Sequence, residues 1–235
     1  MLKKDLIYRS PVVKTIGIKN IQDGKFGAVL SRAGVGKTSF LVQIALTKLL
    51  QDGKVLHISL DDSMEKINLR YQEGYTNLVD SIGYVDPQIA QRLLEDINTR
   101  KVCISYTEAT FDTQKIRDYL ESFKKADLVL PELMIIDGLD FDNDNTHILD
   151  ELARINDDFS IFIWFSMQSH REEELSKDGY PVQLEAHKER FDKAVFLQPV
   201  EDKIEAVILK DGDRTDQRYC LDPSSMMVTE EASEE

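Results

Sequence analysis

Residues 29–43 read VLSRAGVGKTSFLVQ, and the reading of this stretch decides the fold. The window from Ser31 to Thr38 matches the phosphate-cradling pattern G-x-x-x-x-G-K-[ST], except that Ser31 occupies the first glycine position. Immediately before it, KFGAVLS (25–31) is an apolar run of strand length. After it, KTSFLVQIALTKLLQDG puts Val42, Ala45, Leu46, Leu49 and Leu50 on one helical face, with Gly53 as a stop. A strand that passes through a glycine loop into a helix is the context that gives this pattern chemical meaning. The backbone N–H groups of Ala33, Gly34, Val35, Gly36, Lys37, Thr38 and Ser39 can surround phosphates at the helix N-terminus, where the helix dipole favours negative charge. Lys37 would bring its ammonium to those phosphates, and the Thr38 hydroxyl would coordinate Mg²⁺. Serine at position 31 is small and can bond the local backbone, so it should be tolerated with a negative φ.

Working outward, short apolar runs alternate with helical patterns. Strands are expected at 25–31, 54–60, 101–106, 132–138, 161–167 and 194–199, and their continuous apolar character implies burial on both faces. DTQKIRDYLESFKKA (112–126) presents Ile116, Tyr119, Leu120 and Phe123 as a second amphipathic helix. KIEAVILK and QRYCLD read as a terminal antiparallel pair joined by a turn, DGDRTD. This rhythm predicts an α/β fold, a mostly parallel sheet covered by helices and closed by that pair. One domain is expected over residues 1–228, with 229–235 as an acidic, disordered tail.

The formal charge of −14 opposes indiscriminate attraction to nucleic acid or to an anionic membrane. Cys103 and Cys220 have neither metal-ligand spacing nor a disulfide framework, which fits a reducing cytoplasm. No stretch of about 18 apolar residues suggests a membrane span or an export signal.

A second motif, LMIIDGLD, ends a buried apolar strand on Asp137. A carboxylate there is costly without a cation or strong donors, and Mg²⁺ shared with Thr38 supplies one. Taken alone, Asp137 reads equally well as a helix cap.

With both motifs in place, the chain resembles the RecA-like ATPases, in particular the DnaB-type helicase core and its KaiC- and RadA-like relatives. SRAGVGKTSFLVQIA, VLHISLDDSMEKI, LMIIDGLD, IFIWFSMQSHRE, HKERFDKAVFLQP and ILKDGDRTDQRYCLDPSSMMV carry the resemblance, in the family's order, from about residue 20 to 228. It implies a three-layer α/β/α P-loop NTPase with ATP and Mg²⁺ as ligands. It also implies that the strand bearing WFSMQ lies between the phosphate-loop and Asp137 strands, so that Gln168 senses the γ-phosphate. Trp164 on that strand reads as core. The family's water-polarising glutamate corresponds to Asp61, one methylene shorter, with Asp62 adjacent; the alternative is that this acidic pair caps the following helix. Lys210 and Arg214, or Arg218, fall near the basic residues that related ATPases extend into a neighbour's nucleotide, which implies a homo-oligomer and even a hexamer. The KDGDR spacing departs from the relatives' Lys-x-Arg, and solvated turn charges are the alternative.

Helicases of this class grip a single strand with two central loops. Here the first, GLDFDNDNTH, carries Asp140, Asp142 and Asp144 and no basic residue. The second, 169–192, has Arg171, Lys177, Lys188 and Arg190 among mixed charges, without interleaved aromatic stacking residues. Strand unwinding is therefore not expected. Three functions stand: an ATPase whose nucleotide state is read by a protein partner, a nucleotide-dependent scaffold that does not hydrolyse, and a DNA-dependent ATPase.

Overall fold

A computed structural model describes residues 2–17, 21, 24–170 and 175–229. Arg171 and most of the expected acidic tail fall outside the described residues; Thr229, its first residue, bonds the Cys220 carbonyl through its backbone N–H and its hydroxyl. The chain begins with helices α1 (Leu2–Arg9) and α2 (Pro11–Thr15), followed by strand β1 (Phe26–Ser31) and helix α3 (Lys37–Leu50). Strand β2 (Val55–Ser59) precedes α4 (Met64–Asp80) and α5 (Pro87–Thr99), and β3 (Lys101–Ser105) precedes α6 (Thr113–Lys125). Then come β4 (Leu133–Asp137), α7 (Thr146–Phe159), β5 (Phe162–Gln168), α8 (Val182–Glu185) and strands β6 (Lys193–Val200), β7 (Lys203–Asp211) and β8 (Asp213–Leu221).

All eight strands form one sheet in the order β3-β2-β4-β5-β1-β6-β7-β8. Pairing is parallel from β3 to β6 and antiparallel from β6 to β8. Strand β5 therefore lies between β1 and β4, as expected. Two apolar clusters flank the sheet, one drawing on α1 to α5 and the other on α6 and α7. This makes three layers, and it explains why the central strands carry apolar residues on both faces.

Trp164 shows how tightly the first layer fits. It is fully buried, and its indole N–H donates to the Ile21 carbonyl at 3.0 Å. Burying a side chain of this size stabilises the fold by on the order of 4–6 kcal/mol. The neighbouring strand makes room with Gly27, where an added Cβ would sit 2.5 Å from the indole. The core reading of Trp164 holds.

The terminal strand pair and its turn are borne out, and the capping alternative is not. The turn within DGDRTD is tight: Lys210 pairs with Arg214 and Asp211 with Asp213, so β7 and β8 extend to a reversal at Gly212, which has φ of 73°. The glycine alone takes up the reversal, which frees its neighbours to continue the ladder. The acidic pair does not cap α4. Ser63 does, its hydroxyl accepting from the Lys66 N–H, because the serine side chain can fold back on the first turn.

Among the described residues no helix is long and apolar enough to cross a membrane. Among the described residues neither Cys103 nor Cys220 forms a disulfide.

Candidate functional site

The carboxyl ends of β1, β2, β4 and β5 open on one cleft of about 880 Å³. The topology places it there, because parallel strands with helices on both sides leave their carboxyl ends uncovered where the chain changes direction. Residues 33–39, Asp61, Asp137 and Gln168 all line it, so the motif residues meet although they are scattered through the sequence.

Strand β1 ends on Ser31, which is buried, and its hydroxyl donates to the Arg32 carbonyl at 2.8 Å. The left-handed positions come later, at Gly34 (φ 79°) and Gly36 (φ 119°), and Ser31 is not among the residues of positive φ. The missing glycine thus falls where the backbone does not need one. Gly36 is also the N-cap of α3 and offers no side chain, so the first N–H groups of α3 remain available to a ligand. Ser31→Gly is expected to leave nucleotide affinity within about threefold while loosening the end of a buried strand by roughly 0.5–1 kcal/mol. Titration calorimetry and thermal melts on the same preparation would check both; a tenfold gain in affinity would show that serine impairs the loop.

Lys37 folds back over this loop, its Nζ donating to the carbonyls of Ser31 at 3.2 Å and Arg32 at 3.4 Å. Burial lowers its pKa, and Asp137 and Asp61 partly offset that. The ammonium is held by weak carbonyl contacts beside two carboxylates, which is a poised arrangement for an anion. Below it, the Thr38 hydroxyl donates to Asp137 Oδ2 at 2.7 Å. Asp137 is buried at the end of β4, and the following Gly138 N–H donates to the Ser166 hydroxyl of β5 at 2.8 Å.

The hydroxyl and carboxylate suit a hard cation such as Mg²⁺, which prefers oxygen ligands and keeps several waters. Among the described residues no three His, Cys, Asp or Glu side chains form a metal cage. A cation here would complete its shell with phosphate and water, as Mg²⁺ does in nucleotide sites.

Asp61 follows β2 and packs its carboxyl against Gly138, where a Cβ would lie 2.5 Å from Oδ2. Burial raises its pKa, with further upward pushes from Asp137, Asp62 and Glu108 that Lys37 only partly counters. Asp62 instead accepts a bond from Lys66 at 2.5 Å. Gln168 ends β5, exposed, and pairs in register with Ser31, which puts it beside the loop.

Lys210 and Arg214 do not join the cleft. Lys210 is level with Ala194 of β6, and Ala194 with Ala28 of β1, three residues before Ser31 and so about 10 Å lower along the strand. Its Nζ donates to the Lys188 carbonyl at 2.9 Å. Arg214 lies over the Tyr180 ring at 5.1 Å and donates to Asp216 at 3.3 Å. Arg218 pairs with Glu205 at 2.8 Å.

Helix α4 and the chain after β8 complete the cleft, and neither was expected to. Lys66, Arg70, Glu73 and Asn77 of α4 face it at helical spacing. Tyr71 anchors the helix, its hydroxyl 3.0 Å from Nδ1 of the buried His57 on β2, whose pKa burial lowers to about 4. Asn77 donates to the Ser225 carbonyl at 3.4 Å, and the thioether of Met226 lies 3.1 Å from where a Gly36 Cβ would be. The repeated i, i+4 polar positions in MEKINLRYQEGYTNL were the available signal for α4. Nothing local in PSSMM (223–227) announces its place.

No family model and no curated protein sequence matches this chain. Solved structures do. A solved ATPase domain superposes with a TM-score of 0.62 at 16% identity, over 88% of this chain and 85% of that one. A DnaB-like replicative helicase, solved in a study of its interactions with primase, superposes with a TM-score of 0.60 at 15% identity, over 84% of this chain. The fold is that of a RecA-like P-loop ATPase core. The match spans 56% of the helicase chain, so the helicase extends well beyond the shared core.

Proposed function

We propose that this RecA-like core binds MgATP in the cleft and hydrolyses it, passing its nucleotide state to a protein partner or to neighbouring copies. The observation that supports this is the Thr38–Asp137 contact at 2.7 Å beside the Gly34–Gly36–Lys37 loop, which brings a hydroxyl and a carboxylate suited to a hard cation next to a loop suited to phosphates. The β- and γ-phosphates would take the N–H groups of residues 33–39 and the Lys37 ammonium, with Mg²⁺ on Thr38 and, directly or through water, on Asp137. Arg70, Asn77 and Met226 lie further along α4 and the closing segment, where the sugar and base would extend. Asp61, with its raised pKa, orients the attacking water, and Gln168 reads the γ-phosphate from the end of β5.

A path from the cleft to the outer loops supports the coupling role. Asp142, in the loop after β4, is 2.6 Å from Nε2 of His170 and accepts from Gln183 at 3.0 Å. These bonds, that from Gln183 foremost, hold its carboxyl below the usual range. The clasp joins the two central loops two residues after Gln168. Asp140 and Asp142 also face the cleft, which sets them against a nucleic-acid backbone and favours a protein as the reader. Lys210 and Arg214 lie outside this chain's own cleft, so any role for them at a nucleotide would be at a neighbouring copy's.

Calorimetry with ATP tests this reading. Binding is expected with excess Mg²⁺ and to weaken at least tenfold in EDTA. Asp137→Asn should remove most of that Mg²⁺ dependence, since a neutral amide is a poor ligand for a hard cation. Equal affinity with and without Mg²⁺ in the native protein would sink the proposed metal site.

A further inference from the structure

The cleft is short of positive charge for a site that must stabilise a transferring phosphoryl group. Three basic side chains, Lys37, Lys66 and Arg70, line it against seven carboxylates. Lys210 and Arg214 are about 10 Å lower along the sheet and are engaged elsewhere, and Arg218, level with Leu30, is paired with Glu205. Lys37 belongs to the loop itself, and Arg70 lies a turn further along α4, beside Glu73 at 3.7 Å. Lys66 is differently placed. It stands in the first turn of α4, a half-exposed side chain lining the cleft, and its only ion-pair partner among the described residues is Asp62, next to Asp61.

We propose that Lys66 is the cation that acts on the γ-phosphoryl group from within the same chain. This rests on the ATPase reading above. In the nucleotide complex its Nζ exchanges the Asp62 carboxylate for a γ-phosphate oxygen, staying protonated throughout. Water attacks the γ-phosphorus as the bond to the β–γ bridging oxygen breaks; the electron pair leaves with ADP, and the water's proton passes to the Asp61 carboxylate and then to solvent. Charge grows on the bridging and equatorial oxygens as that bond opens, so a cation that engages there lowers the barrier more than it improves ground-state binding. Asp62 is the parking place: it holds Lys66 while no nucleotide is bound, and keeps the ammonium from closing on Asp61, the base that must remain free.

The alternative is that Lys66 only neutralises Asp62. The two separate in the full chain, by steady-state phosphate release and by the binding of fluorescent ADP. Lys66→Gln is expected to lower kcat about a hundredfold or more, with ADP affinity within threefold of native and an unchanged Tm, because the side chain is exposed. Lys66→Arg should recover part of the rate. Turnover per chain should stay constant across a hundredfold range of protein concentration. The double variant Asp62→Asn, Lys66→Gln should remain as slow as Lys66→Gln; recovery of native rate there would show mere neutralisation and overturn the proposal. So would native turnover in Lys66→Gln, or a rate per chain that climbs with concentration. If the native chain binds MgATP but releases no phosphate, the ATPase reading fails together with the proposal, a result distinct from failure of Lys66 alone.

Discussion

Lys37→Met is expected to raise the Kd for MgATP by roughly two to three decades, about 3–4 kcal/mol, the range for removing one partner of a desolvated, hydrogen-bonded charge pair. Methionine keeps the length and apolar stem of lysine, so the change isolates the charge. Among the described residues the native ammonium bonds to the Ser31 and Arg32 carbonyls at 3.2 and 3.4 Å, and burial lowers its pKa despite Asp137 and Asp61 nearby. A lysine whose folded pKa is depressed is held less well in its charged form by the fold than by water. Its unfavourable contribution grows as pH falls through the unfolded value and into the depressed one, so at neutral pH the ammonium costs the fold something. The variant should therefore melt no lower than the native protein while losing nucleotide. Thermal melts with and without MgATP give both numbers, because a bound ligand raises stability with the logarithm of its concentration over Kd. Equal ligand-induced shifts in the two proteins would remove Lys37 from the site.

Much of the architecture was legible because parallel strands buried on both faces leave an unmistakable trace. LMIID and FIWFSM are continuous apolar runs of strand length, and both lie at the centre of the sheet. The edge was less legible: β3 is only partly buried. The hairpin was legible as a pair joined within DGDRTD, but composition could not narrow the turn to one glycine, because register with the neighbouring strand decides the pairing. Helix α5 announces itself by Asp86 as N-cap and Pro87 at its first position, the kind of local signal that a search for apolar faces passes over.

The site divides along the same line. Residues 33–39 and Asp137, which share the cleft, are legible because a glycine loop before a helix and a carboxylate ending an apolar strand are local patterns of fixed spacing. Arg70, Asn77 and Met226 were missed because they reach the cleft only through the packing of α4 and the return of the chain after β8, which no local pattern encodes. Lys210 and Arg214 are expected at a neighbouring copy's nucleotide, and strand register sets them low on the sheet, outside this chain's own cleft. Ser31 looked anomalous only against a pattern; its backbone sits in an ordinary strand.

Asp61→Asn is expected to lower kcat by about 10²–10⁴-fold, the range for losing a general base, with MgATP bound as tightly as before or slightly better. Affinity should not suffer, because the change removes one negative charge from a cleft that must accept a polyphosphate. The pH profile makes the assignment specific. Burial, then Asp137, Asp62 and Glu108, push the Asp61 carboxyl above its ordinary value of 3.8. As a base it must be ionised, so native kcat/KM should rise with pH through a limb displaced above the usual carboxylate range, and Asp61→Asn should flatten that limb. Stability moves in the opposite sense. A carboxyl whose folded pKa is raised supports the fold while protonated and loses that support as pH climbs from its unfolded value through the folded one. At neutral pH the asparagine variant should therefore melt at or above the native temperature while its turnover collapses, a combination that a merely structural aspartate would not give. Asp61→Glu restores the methylene by which this position is short of the glutamate in the ATPases it resembles. If reach limits the present rate, glutamate should exceed aspartate in kcat at unchanged affinity; if the structure has already adjusted to aspartate through the close contact with Gly138, glutamate will be slower, and only the retained pH limb will mark it as the base.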